Sequence, residues 1–142
     1  ISDLKIKVII GPYYSKVFYQ ELMSKYNKEN IIFLEKINSL TDLYEWCHLV
    51  ITNTGTTRYE CLSMNIPFIF FSYGIYDKYE PLVVFNKILI YSYIGDFKFK
   101  NIKTRKFKDL FLLKSTYGQL VNSTKNIIDE LGSKRIAKAL IK

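Results

Sequence analysis

The sequence predicts an α/β fold, a parallel β-sheet with helices on both faces. Three observations predict it. Short apolar segments of strand length alternate with segments of helix length. The strand segments are nearly continuous apolar runs, as a sheet covered on both faces requires. Glycine or small polar residues stand where strands turn into helices, at Gly11-Pro12 and at Thr52 to Thr57.

Residues 4–10 (LKIKVII) read as a β-branched strand that Gly11-Pro12 ends. Residues 15–26 read as a helix, with Phe18, Leu22 and Tyr26 four apart on one face. Residues 31–34 form the next strand. Ser39 followed by Asp42 suggests a capping box, and a short helix over 40–48 follows. Residues 49–52 form a strand, 56–64 a helix, and Pro67 opens a strand over 68–71. Beyond Ser72 the pattern predicts a helix over 77–87, a strand over 88–93 and a solvated basic connection over 98–108. Helices are expected over 109–113, 117–131 and 133–141. Ser133 is placed to cap the last, and Ile136, Ala137 and Leu140 form its packing face.

At 142 residues the chain is long enough for one domain with a core. It begins at Ile1 rather than a methionine and is expected to be a single domain, 1–142, excised from a longer protein. Aromatics at 16% and hydrophobic residues at 49% exclude disorder as its main character. No apolar run reaches the length of a membrane span, and the start has no signal-peptide pattern. Cys47 and Cys61 read as two buried thiols in a reducing compartment, so the chain is expected to be cytoplasmic. With His48 as the single histidine, neither a zinc site nor any cofactor is expected.

The net charge of +8 suits three kinds of anionic partner: nucleic acid, a membrane surface or a phosphorylated ligand. The excess is lysine-dominated and accompanies abundant Asn, Ile and Tyr, the bias of AT-rich coding. No zinc-finger, RNA-recognition or basic-zipper pattern is present, so no nucleic-acid partner is expected. No motif supports membrane contact.

The stretch ITNTGTTRYECLSMNIPFIFF, residues 51–71, is the most telling. It runs strand, phosphate-sized loop, helix, strand. Ligands of open parallel sheets bind outside the carboxyl ends of the strands. A helix start preceded by glycine and hydroxyls offers backbone N–H groups and a positive dipole end to an anion. Gly55 lets a diphosphate approach the backbone, and Thr54, Thr56 and Thr57 add hydroxyls. The same residues equally suit a tight turn whose threonines cap the helix. Glu60, about one turn on, is placed to accept hydrogen bonds from a ribose diol, or to complement the helix dipole. Gly11 lies in a second loop at a strand's carboxyl end, where its backbone can contribute N–H groups to the phosphates; an ordinary turn with Ser15 as N-cap fits the same residues. The backbone of Ile37 and Asn38 precedes the third helix start and can meet a base edge, though nothing local requires it. Asp77 is the next acidic residue at the predicted rim. No GxGxxG, Walker loop or Ser/His/Asp set occurs, and no general base stands out.

The GP turn, the block WCHLVITNTGTTRYECLSMNIPFI (residues 46–69) and the ending GSKRIAKAL (residues 132–140) together carry a resemblance. The order of pieces resembles the C-terminal, nucleotide-binding half of a GT-B fold, a Rossmann-like domain. It is closest to the PseG/SpsG-like UDP-sugar hydrolases of nonulosonic (pseudaminic-type) acid biosynthesis, and more distantly similar to the MurG-like N-acetylglucosaminyltransferases. The resemblance implies that Gly55, Thr56 and Thr57 bind the diphosphate of UDP, Glu60 the ribose hydroxyls, and residues 37–40 the uracil. The catalytic histidine of that family lies in an N-terminal half that this chain lacks, so His48 is not given that role and no catalytic residue is expected here. The family's acidic-Asn-Gln segment has as its counterpart SYGIYDKYEP, residues 72–81, where Asp77 is the candidate sugar contact.

The expectation is thus one half of a UDP-sugar hydrolase or glycosyltransferase of bacterial surface-glycan biosynthesis. Its partners would be UDP or a UDP-sugar and the missing N-terminal catalytic domain. Alone, this half is expected to bind weakly and turn nothing over. Two other readings fit the same residues: a glycosyltransferase subunit acting with a membrane partner, and a non-catalytic α/β interaction domain that has lost its sugar site.

Overall fold

Parallel strands joined by helices build the chain, giving the α/β, Rossmann-like class that the sequence predicts. A computed structural model describes residues 4–73, 93–96, 109, 114–129 and 131–141. The predicted segments 77–87, 98–108 and 110–113, and most of 88–93, lie outside these residues. The fold divides into two compact units, Ile1–Leu43 and Tyr44–Lys142.

The first unit is a βαβ arrangement of β1 (Ile6–Ile10), α1 (Lys16–Tyr26) and β2 (Ile31–Glu35). The two strands pair in parallel, from Ile6 opposite Ile31 to Ile10 opposite Glu35. Asn30 extends the ladder: its carbonyl accepts from Ile6 N–H at 2.8 Å, and its side-chain amide donates to the Leu4 carbonyl at 2.8 Å. Ser15 caps α1 as expected, its hydroxyl accepting from Phe18 N–H at 3.1 Å. The expected apolar face of α1 is shifted. Leu22 is half-buried, but Phe18 and Tyr26 are exposed, and Tyr19 makes the contact to the sheet, edge-on to Phe33 at 6.4 Å. Phe18 instead stacks under Tyr14 at 4.9 Å.

Helix α2 (Thr41–Trp46) is shorter than expected, and the boundary between the units falls within it. Ser39 accepts from Thr41 N–H at 3.2 Å and donates to Thr41 Oγ1 at 3.0 Å. It therefore bonds two residues on, where a capping box would bond three on.

The second unit holds a three-stranded parallel sheet in the order β3 (Val50–Asn53), β4 (Phe68–Ser72), β5 (Tyr93–Asp96). Its described helices beyond β3 are α3 (Thr57–Ser63), α4 (Lys114–Thr124) and α5 (Gly132–Leu140). The central strand β4 organises the core, with Phe68, Ile69, Phe70 and Ser72 all fully buried. Successive side chains of a strand point to opposite faces. Ile69 clusters with Ile94 and with Leu120 of α4. Phe70 faces the other way, against Tyr93 and the Arg58 guanidinium of α3. The strand is thus covered on both sides, which is why it reads as an unbroken apolar run. Ser72, buried at its end, is satisfied by the Tyr93 hydroxyl at 2.8 Å.

Helix α3 ends in a Schellman motif. Asn65 adopts φ 56°, Asn65 N–H donates to the Leu62 carbonyl at 3.2 Å, and Ile66 N–H to the Cys61 carbonyl at 2.8 Å. Pro67 then opens the approach to β4, and its carbonyl accepts from Val50 N–H at 3.0 Å. Helix α4 stops at Thr124, short of the expected Leu131, because Asn126 turns the chain with φ 57°. Ser133 does not cap α5. The helix starts at Gly132, and Asp129 holds its start, accepting from Leu131 N–H at 3.1 Å and from both Arg135 amino groups at 2.8 and 2.9 Å. The expected packing face of α5 is not packed: Ile136, Ala137 and Leu140 are all exposed.

Leu120 is fully buried between Ile69 and Ile94. Leu120→Ala is expected to cost about 2–5 kcal/mol through lost burial and the cavity left behind. Urea unfolding followed by far-UV circular dichroism measures it.

Candidate functional site

The loop between β3 and α3 sits where a ligand of a parallel sheet is held, just beyond a strand's carboxyl end. Asn53 closes β3, Thr54, Gly55 and Thr56 form the turn, and Thr57 opens α3. Beneath this turn lies Arg58, only 1% exposed. Its Nε donates to the Gly55 carbonyl at 3.2 Å and a terminal nitrogen donates to the Thr54 carbonyl at 2.9 Å. The guanidinium also lies over the Phe70 ring at 5.1 Å and the Tyr59 ring at 5.6 Å. Burying a cation is costly unless dipoles and hydrogen bonds replace its hydration; here two carbonyls take up Nε and one terminal nitrogen, and two ring faces lie against the guanidinium.

Arg58 thereby fixes the direction of the loop backbone. In a trans peptide the N–H points opposite to the C=O, and the described chain has no cis bond. With the Thr54 and Gly55 carbonyls drawn down onto the guanidinium, the N–H groups of Gly55 and Thr56 face the other way. A permanent positive charge stands directly behind them.

Gly55 N–H already has an acceptor within the loop, the Asn53 side-chain Oδ1 at 3.1 Å. This is an Asx turn. It also accounts for the glycine, since a Cβ at position 55 would stand 3.0 Å from that oxygen. Gly55 thus makes room for the Asn53 side chain. Thr56 does not cap α3 with its hydroxyl; its carbonyl accepts from Tyr59 and Glu60 N–H at 2.8 and 3.3 Å.

Glu60 is exposed, and its Oε2 accepts a short hydrogen bond from the buried Tyr44 hydroxyl. Thr57 also meets that hydroxyl with its side chain. Burial and then the bond to Glu60 push the Tyr44 phenol well above its ordinary range. It is therefore a fixed donor that holds the carboxylate by one oxygen.

Thr54, Gly55, Thr56, Thr57 and Glu60 are in this way brought together on one loop and helix start. In the first unit, Gly11 follows β1 and Ile37–Asn38 lie just past β2. Because Ile10 pairs with Glu35, these two loops leave the same end of the first sheet. Gly11 accepts from Tyr14 N–H at 3.3 Å, Ile37 is half-buried and Asn38 is exposed. Lys36, with φ 52°, turns the chain into the second loop. Asp77 lies outside the described residues. His48 is exposed beyond α2, and its carbonyl accepts from the Tyr117 hydroxyl at 2.8 Å. No cluster of three metal-ligating side chains occurs among the described residues.

Three site residues escaped the sequence reading. Arg58 had a local signal, since a cation in a helix's first turn opposes the dipole and needs a reason. Asn53, two residues before a glycine, is an Asx-turn pattern. Tyr44 had none, because its partner lies 16 residues away. The comparisons with known proteins return no matching family model, no matching curated protein and no matching solved structure.

Two outcomes are expected from this geometry. Gly55→Ala destabilises the chain less when Asn53 is also alanine, because the clash partner is gone. A double-mutant cycle by urea unfolding should give a coupling of about 1 kcal/mol. Cys61 is fully buried, and burial pushes its thiol up to about 12. At mildly alkaline pH, iodoacetamide should therefore leave Cys61 unmodified in the folded chain and modify it on unfolding, as mass spectrometry would show.

Proposed function

We propose that this chain binds the UDP part of a nucleotide sugar, as the C-terminal half of a UDP-sugar hydrolase or glycosyltransferase of bacterial surface-glycan biosynthesis. One observation carries the reading: the buried Arg58 turns the carbonyls of Thr54 and Gly55 inward, so that the N–H groups of Gly55 and Thr56 face outward at the carboxyl end of β3. An anion placed there meets outward N–H groups, the start of a helix and a cation behind the backbone.

In this reading a phosphate oxygen replaces Asn53 Oδ1 on Gly55 N–H, and Thr56 and Thr57 complete the diphosphate contact. Glu60 takes the ribose diol with Oε1, while Tyr44 retains Oε2. Backbone donors of this kind stabilise the charge that develops on a departing nucleotide. The water or acceptor, and the base, belong to the N-terminal half that such enzymes carry. The assignment of uracil to Ile37 and Asn38 and of the sugar to Asp77 comes from the resemblance alone. The Asn53 hydrogen bond favours a second reading, in which the turn is purely structural and the chain is an α/β interaction domain.

Titrating the amide NMR spectrum with UDP separates the two, with CMP and inorganic phosphate as controls. Nucleotide binding predicts shifts at Gly55, Thr56, Thr57 and Glu60 that are strongest with UDP. Glu60→Ala should weaken binding roughly ten- to hundredfold, the worth of hydrogen bonds to a charged group. No specific shift up to roughly millimolar UDP, the weak limit of useful affinity, assigns the turn to structure.

A further inference from the structure

Helix α5 is an amphipathic element whose apolar side is exposed, with none of the described core residues packed on it. Ile136, Ala139 and Leu140 recur at the spacing that aligns side chains on one helix face. Ile136 is 64% exposed, Leu140 81%, and Ile141, just past the helix, 85%. Leu131, before its start, is also exposed. The opposite flank carries Lys134 and Lys138, one turn apart and both exposed. The helix contains no acidic residue. The one described acid bonded to it is Asp129, whose two oxygens are engaged by Arg135. That pair anchors the start of the helix and leaves the charge of the two lysines uncompensated within it.

We infer that α5 is an interfacial element that lies on an anionic lipid surface, with Ile136, Leu140 and Ile141 entering the acyl boundary and Lys134 and Lys138 on the outward polar face, drawn by the negative surface potential. Charge complementarity selects this occupant. An aliphatic face backed by a cationic face that lacks acids matches a helix lying in the plane of an anionic interface, apolar side inward and polar side toward water. The net charge of +8 attracts the whole chain to the same surface before insertion. No helix among the described residues is long and apolar enough to cross a membrane, so the contact is one of lying on the surface. The inference does not rest on nucleotide binding.

Co-sedimentation of the full chain with vesicles tests it. One set contains one part phosphatidylglycerol to two parts phosphatidylcholine, and the other phosphatidylcholine alone. Binding to the anionic set, weakened by salt and small on the neutral set, is the expected result. Ile136→Asp with Leu140→Asp should abolish it. Lys134→Glu with Lys138→Glu should reduce it at least about twentyfold, at roughly fivefold for each surface cation. All four side chains are exposed, so unchanged thermal unfolding should accompany both variants. Failure to bind anionic vesicles, or binding that both variants retain, overturns the proposal. So does concentration-dependent self-association on gel filtration that Ile136→Asp with Leu140→Asp removes, which would assign the face to a second copy of the chain.

Discussion

A single buried guanidinium organises the second unit. Arg58 belongs to α3, is covered by Phe70 of the central strand, and is bonded to the two carbonyls of the turn between β3 and α3. Loop, helix and sheet therefore meet at one side chain. Two carbonyl dipoles and two ring faces offset part of the cost of placing a cation there. Substitution by lysine would keep the charge but lose the planar fork that reaches two carbonyls at once. The shape of the turn is thus a property of the core beneath it as much as of its own residues.

The remainder of the second unit is arranged around β4. Its alternate side chains are shared between α4 on one face and α3 on the other. The Schellman end of α3 sets how the chain returns to that strand, and Asn65 contributes twice. Its backbone takes the left-handed turn, and its side-chain oxygen accepts Asn126 N–H at 2.7 Å, tying the end of α3 to the connection after α4. The first unit uses a simpler device: Asn30 and Ser15 satisfy the backbone groups at a strand start and a helix start.

The strands were the most legible part of the sequence. Residues 31–34, 49–52 and 68–71 fall within one residue of β2, β3 and β4, because a doubly covered strand announces itself by continuous apolar content. Helix ends were harder. Asn126 and Leu131 set boundaries by backbone conformation, which a serine at position 133 does not reveal. The face of α5 was read as a packing face from its spacing, yet spacing reports only that a face is apolar and not what it meets. At the candidate site the sequence singled out Thr54 to Thr57 with Glu60, which the structure places on one turn and helix start. It did not give the direction of the peptide groups, which depends on a long-range burial, or the partner of Glu60, which comes from a separate helix.

Asn53 gives the turn a resident competitor. Its amide oxygen occupies the Gly55 donor, so anything arriving at that N–H gains only the difference between two acceptors. A water molecule or a sugar hydroxyl exchanges one neutral hydrogen bond for another and gains nothing. An anionic oxygen forms a charge-assisted bond roughly twice as strong, so it alone has reason to displace the amide. The turn would then discriminate by subtraction, with a side chain of its own setting the threshold that a ligand must exceed.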